Sequence, residues 1–186
     1  MIKKGIILAG GTGSRLFPTT KAVNKQLLML YDKPVIFYPL SVLMLAGIKD
    51  ILIIVNKGQI NNFKLLLSNG ENYGIKISYL EQEKPTGIPE AFKIGKNFIK
   101  ENNVALILGD NFFFGQSLGE NLKKIFLNFE DGANIFLKKV KNPENFGVAK
   151  IKNQKVVDII EKPKSFISSD VITGLYLFDK KVTKYT

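Results

Sequence analysis

Along most of this chain, short runs of β-branched and apolar residues alternate with longer stretches whose apolar positions recur every three to four residues. The runs at 4–9, 50–55, 76–80, 104–108 and 134–138 read as strands. Several are apolar at successive positions, such as Ile6-Ile7-Leu8 and Ile51-Leu52-Ile53-Ile54, which suits strands covered by helices on both faces. The stretches at 34–46 (with Gly47 as the stop), 60–67 (ending near Gly70), 89–100 and 118–129 read as helices. This alternation predicts an α/β fold, a three-layer arrangement around a mostly parallel sheet. After residue 140 the pattern changes. Runs at 148–151 and 155–160 flank Asn153-Gln154 and predict a hairpin, and a strand at 171–178 follows, so an antiparallel hairpin insertion leads back into the main sheet. No repeat, low-complexity tract or linker interrupts residues 1–186, which read as a single domain. Residues 180–186 read as the start of another helix, so the domain is expected to be incomplete at its C-terminus.

Composition sharpens this picture mainly through two absences. The 186 residues are 45% hydrophobic and 23% charged, a globular balance that excludes disorder and collagen-like fibres. There is no cysteine and no histidine. A cysteine nucleophile, a disulfide framework, a thiolate zinc site and any histidine triad or metal site are therefore excluded. Chemistry must come from carboxylates, lysines, one arginine, hydroxyls, backbone N–H groups or a borrowed metal ion.

The formal net charge of +11 raises nucleic acid as a partner. The excess is spread, however: residues 1–119 carry 14 Lys/Arg against 8 Asp/Glu, and residues 120–186 carry 13 against 8. Arg15 is the only arginine among the 27 basic residues. Base readout and phosphate clamping favour the arginine fork, so a lysine-rich solvated surface with no nucleic-acid partner is expected. The apolar run at 5–9 is too short for a signal peptide. The stretch 34–48 is broken by Pro39 and Ser41 and falls short of the roughly 20 residues that span a bilayer. A cytoplasmic chain with no membrane partner is the expectation.

Three segments could carry chemistry. Leu8-Ala9-Gly10-Gly11-Thr12-Gly13-Ser14-Arg15-Leu16 directly follows the first strand. Three glycines within four residues leave little side-chain bulk, so backbone N–H groups can approach an anion. The segment is neither a Walker A loop nor a dinucleotide fingerprint, and by spacing alone it also fits a tight turn after a buried strand. The lone arginine inside it favours an anion site. Second, Leu108-Gly109-Asp110-Asn111 ends an apolar strand, at the sheet edge where open α/β sheets bind ligands. Asp110 could hold Mg²⁺, although Asp-Asn also suits a plain turn. The third, Ile160-Glu161-Lys162-Pro163, is by itself a charged strand end, and Lys25 by itself a surface lysine. A glycine loop, an arginine, lysines and a carboxylate-held Mg²⁺ together suit phosphoryl or nucleotidyl transfer, which needs positioning and charge neutralisation more than a strong base.

LAGGTGSRL at 8–16, followed by Pro18, Lys25-Gln26-Leu27-Leu28 and Tyr31-Asp32-Lys33-Pro34, closely resembles the opening of the sugar-1-phosphate nucleotidyltransferases. GDN at 109–111, NFGV at 145–148, EKP at 161–163 and TGLY at 173–176 match in order and approximate spacing. The resemblance covers essentially the whole chain, and residues 39–54 and Gln82 resemble the members that act on glucose 1-phosphate and dTTP. It implies a Rossmann-like fold and a Mg²⁺-dependent transfer of a thymidylyl group from dTTP to α-D-glucose 1-phosphate, giving dTDP-glucose and pyrophosphate. Such a product generally feeds deoxysugars such as rhamnose in cell-surface polysaccharides.

By the same resemblance, Leu8, Gly10, Gly11, Thr12 and Gly13 lie at the nucleotide, Arg15 neutralises the leaving pyrophosphate and Lys25 stabilises charge at the α-phosphate. Gln26, Gln82 and Gly87 correspond to thymine-binding positions, and Asp110 to the metal ligand. Gly147, Glu161, Ile172 and Tyr176 contact the sugar, with Lys162 on its phosphate. A homo-oligomer is implied where the full-length fold is present. Asn24, Met29 and Phe146 depart from the family's usual serine, proline and tyrosine, and a second metal-binding aspartate lies beyond residue 186 in the family pattern. Alternatives are a fragment that binds nucleotide without turnover, or a transferase for another sugar 1-phosphate or for UTP.

Overall fold

The computed structural model describes all of residues 1–186, and its contacts cluster into two compact units, Met1–Ala133 with Leu177–Thr186, and Asn134–Tyr176. In the first unit the chain runs through β1 (Lys4–Ala9), β2 (Met29–Leu30), β3 (Lys33–Pro34), α1 (Phe37–Leu45), β4 (Asp50–Asn56), α2 (Ile60–Leu67), β5 (Lys76–Gln82), α3 (Ile88–Ile94), α4 (Lys96–Ile99), β6 (Val104–Leu108) and α5 (Leu118–Leu127). Its main strands stand in the order β5-β4-β1-β6 and are all parallel, with Ala9 opposite Val55, Leu8 opposite Leu108 and Asn56 opposite Gln82.

Ile51 to Val55 in β4 and Val104 to Ile107 in β6 are wholly shielded from solvent, as a parallel sheet sheathed on both faces requires. Consecutive residues of β1 show the two layers. Leu43 of α1 packs over Gly5, whereas Ile6 packs against Gly95 between α3 and α4. Neighbouring strand residues point to opposite faces, so α1 and the α3–α4 pair cover opposite sides of the sheet. This is the three-layer α/β arrangement that the alternating pattern predicts.

Boundaries differ where local chemistry overrides periodicity. The helix expected from residue 34 starts at Phe37, because Pro34 pairs with Met29 in the β2–β3 hairpin, whose turn holds Tyr31 at a φ of 62°. Pro39 is then the third residue of α1, in the first turn, where no helical N–H is needed. The single helix expected over 89–100 divides at Gly95, which caps both α3 and α4. The strand expected to end at 80 continues to Gln82. Residues Lys180–Lys184 form a 3₁₀ helix in which the Asp179 carboxylate accepts from the N–H of Lys181.

The second unit is antiparallel. β7 (Ala133–Lys139), which begins one residue ahead of it, pairs with β10 (Asp170–Phe178), and β10 pairs with β8 (Gly147–Lys152) at Val171 and Val148. β8 forms the expected hairpin with β9 (Lys155–Glu161). Its two turn residues, Asn153 and Gln154, both have positive φ, 51° and 61°, the turn geometry whose twist matches paired strands. A bulge between Lys150 and Ile151 shifts the register. The Thr173 hydroxyl donates to the Phe136 carbonyl at 2.8 Å, tying β10 to β7. No helix is long and apolar enough to cross a membrane.

Candidate functional site

From β1 the sheet grows through β4 to β5, then returns to place β6 on the other flank of β1. That reversal sets a crevice at the carboxyl ends of β1 and β6, where open α/β sheets bind ligands. The glycine loop leaves β1 there and Asp110 follows β6. Gly109 draws the two strand ends together: its N–H donates to the Leu8 carbonyl at 2.9 Å. A Cβ at position 109 would lie 3.0 Å from both Leu8 O and Ala9 Cα.

Two adjoining cavities open at this edge. One, of about 220 Å³, is lined by Gly11, Gly13, Arg15, Lys25, Gln26 and Asp110, with Ser14 and Leu16. The other, of about 280 Å³, is lined by Leu8, Gly10, Gly11, Gln26, Gln82, Gly87 and Asp110, with Pro85, Ile88 and Leu108. Every nucleotide-site residue expected from the sequence is thus gathered here except Thr12, which is exposed in the loop and lines neither cavity.

Charge and polarity are arranged unevenly across the two. Lys25 Nζ meets Asp110 Oδ2 at 2.5 Å, with both side chains about one-third exposed at 33% and 32%. Arg15 is exposed on the same cavity wall. Gln26, by contrast, is only 3% exposed, and its Oε1 is buried without a hydrogen-bond partner. A buried acceptor left unpaired costs about 1–3 kcal/mol, so this atom marks where a donor from a ligand would be welcome. Gln82, also buried, donates from Nε2 to the Gly10 carbonyl at 2.7 Å and to Asn56 Oδ1 at 3.0 Å. A Cβ on residue 10 would fall 1.9 Å from that nitrogen, so any larger residue there would have to displace the Gln82 amide.

Sequence reading missed several contributors. Asn24, which stands where the family pattern has serine, is buried. Its Oδ1 accepts from the Gln26 N–H at 2.8 Å, and its Nδ2 donates to the Ala9 carbonyl and to Gln59 Oε1. Asn56 follows the apolar run Ile51 to Val55 at the end of β4 and donates to the Gly11 carbonyl. An amide directly after five apolar strand residues, in register with Gln82, was the signal that could have found it.

In the second unit, the expected sugar-site residues form a cluster of their own. Gly147 pairs with Glu161 across β8 and β9, and a Cβ on Gly147 would lie 2.9 Å from Glu161 Oε2 and 3.5 Å from Ile172 Cδ1. Burial, reinforced by the Glu161 carboxylate, raises the Tyr176 phenol above its ordinary pKa. Lys162 is exposed, with a positive φ of 46°, and its N–H donates to the Phe146 carbonyl at 2.9 Å.

No group of three or more acidic side chains is placed to hold a metal ion. Asp110 is a single carboxylate already engaged by Lys25. Such a donor set fits a Mg²⁺ that arrives coordinated by phosphates, not one caged by protein alone.

The family model described as nucleotidyl transferase matches residues 4–186. The chain belongs to the nucleotidyl transferase family. Among relatives of this nucleotidyl transferase, the glucose-1-phosphate thymidylyltransferase of Neisseria meningitidis serogroup A is 51% identical over 183 residues, 98% of this chain. That of Xanthomonas campestris is 48% identical over 184 residues. The chain spans 63% of the length of the Neisseria relative and 62% of the Xanthomonas one. Among solved structures, a Bacillus anthracis protein assigned as a glucose-1-phosphate thymidylyltransferase, crystallised with sucrose, has a TM-score of 0.90 and 41% identity, with 98% of this chain and 74% of that one covered. A UDP-glucose pyrophosphorylase bound to UDP-glucose shares the fold at a TM-score of 0.82 and 23% identity, with 99% of this chain and 78% of that one covered.

Proposed function

We propose that this chain carries the nucleotide-binding and much of the sugar-binding machinery of a transferase that moves a thymidylyl group from dTTP to α-D-glucose 1-phosphate. The observation that carries this reading is the meeting of the glycine loop, Arg15, Lys25, Gln26 and Asp110 around adjoining cavities at the β1–β6 crevice. The names borne by relatives near half identity support the substrates.

A phosphate oxygen of glucose 1-phosphate attacks the α-phosphorus of dTTP, the bond to the β-phosphate oxygen breaks, and pyrophosphate leaves with the electron pair. The attacking phosphate is already ionised at neutral pH, so no general base is required. Loop N–H groups hold the triphosphate, Arg15 offsets charge on the departing pyrophosphate and Lys25 offsets charge at the α-phosphate. Gln26 Oε1 accepts from the ring imide N–H of the base, a donor common to thymine and uracil. Gln82 and Gly87 wall the base pocket. Gly147, Glu161, Ile172 and Tyr176 receive the sugar and Lys162 its phosphate. When bound, Mg²⁺ neutralises phosphate charge, with Asp110 as its protein ligand. The reaction is assigned to the cytoplasm, and a homo-oligomer to the full-length form.

Pyrophosphate release from the 186-residue chain tests this, with Mg²⁺, dTTP and glucose 1-phosphate each omitted in turn and UTP substituted for dTTP. Release that requires all three components is expected. The single carboxylate at the metal position favours one competing reading, nucleotide binding without turnover. Tight dTTP binding with no pyrophosphate released would select it.

A further inference from the structure

The carbonyl side of the glycine loop is tied down almost residue by residue. The Leu8 carbonyl accepts from the Gly109 N–H at 2.9 Å. The Ala9 carbonyl accepts from Asn24 Nδ2 at 3.3 Å, that of Gly10 from Gln82 Nε2 at 2.7 Å, and that of Gly11 from Asn56 Nδ2 at 3.4 Å. The Gly13 carbonyl accepts from the Thr20 hydroxyl at 2.9 Å and from the Leu16 N–H at 2.9 Å. Three side-chain amides and one hydroxyl, from four separate segments, hold four carbonyls of a five-residue stretch.

A trans peptide unit is planar, with its C=O and the following N–H pointing to opposite sides. Fixing the carbonyls of Ala9, Gly10, Gly11 and Gly13 therefore fixes the N–H groups of Gly10, Gly11, Thr12 and Ser14 on the other side of the chain. The glycines that make close approach possible also leave the loop free to rotate its peptide planes, so a loop with no such ties would lose this polarity. The geometry points to Thr20, Asn24 and Asn56 as positioning residues that set the loop's N–H groups before an anion arrives. None of the three lines either cavity. Asn24 does a further job: through the N–H of Gln26 it fixes the Lys25-Gln26 segment against the same loop.

This inference rests on the proposed anion site but not on the identity of the base or sugar. The test uses the full chain with inorganic tripolyphosphate as probe, read by calorimetry, alongside amide hydrogen exchange. Thr20→Val removes the hydroxyl at nearly constant shape, Thr20→Ser restores it, and Asn56→Ala removes the tie to Gly11. Both removing variants are expected to weaken tripolyphosphate binding by about 5- to 10-fold and to speed exchange at residues 10–14, with β4 and β6 amides unchanged. Thr20→Ser should return both readouts to within about twofold of wild type. Unchanged loop exchange in both removing variants, or acceleration spread evenly over the sheet, would overturn the inference. So would a wild-type chain that does not bind tripolyphosphate. A wild type that binds tripolyphosphate no less tightly than dTTP would leave the positioning role standing and remove the dTTP assignment instead.

Discussion

Lys25 Nζ and Asp110 Oδ2 lie 2.5 Å apart although the residues are 85 positions apart in sequence. The pair joins the 3₁₀ helix Lys25–Leu27 to the end of β6 across the mouth of the crevice. With both side chains about one-third exposed, its worth to folding is at most about 1 kcal/mol. On the proposed reading the two charges are held for a ligand.

Lys25→Ala and Asp110→Asn should therefore each leave the thermal midpoint nearly unchanged while lowering pyrophosphate release on the order of 10²–10³-fold. The double variant should be little worse than either single one, because the two act on one charge constellation. Melting curves and turnover on the four proteins decide it. A lowered midpoint with normal turnover would make the pair structural.

Arg15 is the only guanidinium in the molecule and stands on the cavity wall. Arg15→Ala should cost on the order of 10³-fold in rate, about 4 kcal/mol, as arginine clamps do in phosphoryl transfer. Arg15→Lys should recover little of this, since an ammonium cannot present two parallel donors. Near-wild-type turnover in either variant would remove Arg15 from the mechanism.

Gly10→Ala places a methyl carbon 1.9 Å from Gln82 Nε2. The obstacle is the end of a side chain, so the variant should fold with a loss of about 1–3 kcal/mol. Displacing Gln82 should also weaken dTTP binding by at least about tenfold, and Gly10→Ala combined with Gln82→Ala should regain stability without regaining affinity. Denaturant titration and calorimetry separate the two effects. Unaltered affinity in Gly10→Ala would mean that Gln82 has no part in base binding.

Away from the site, Tyr79 offers a pH signature. Burial, with a smaller contribution from Tyr73, pushes its phenol up to about 12, and its hydroxyl donates to the Ser68 carbonyl at 2.6 Å. The folded state thus holds its proton more tightly than the unfolded chain, whose tyrosines titrate near 10. Its contribution is intact below pH 10 and is lost as pH rises from 10 through 12. Stability measured across that interval should fall less steeply in Tyr79→Phe than in the parent chain. Identical slopes would contradict the assignment.

Much of the molecule could be read before folding. β1, α2 and β6 have the bounds their patterns indicate, because each is a strongly apolar or strongly periodic run closed by a polar or glycine punctuation. The break at Gly95 was not read; there the sheet packs so closely that a Cβ would lie 3.2 Å from Ile6 Cδ1 and 3.3 Å from Leu52 Cδ2, a tertiary contact that helical periodicity does not contain. The extension of β5 to Gln82 was hidden by Glu81 and Gln82, polar residues that look like a strand end until Asn56 and Gly10 supply partners. The same holds for the site. Arg15 and Asp110 were legible as candidate charges and Lys25 only through the family resemblance, whereas Asn24, Asn56 and Thr20 donate to backbone carbonyls, and which amide or hydroxyl finds which carbonyl is decided only by the tertiary fold.

The parallel sheet order has a consequence for the history of each molecule as it is made. β1 is the earliest main strand in this sequence, yet it ends between β4 and β6, and β6 is the last of the four to be synthesised. Until β6 docks, one edge of β1 is bare, Asp110 has no crevice to close and Lys25 has no counter-charge. The proposed phosphate site is therefore complete only after the β1–β6 pairing, the most distant strand pairing in the first unit, has formed. If the proposed nucleotide binds there, it would deepen the free-energy well of fully assembled molecules alone, since half-formed ones lack the crevice that holds it.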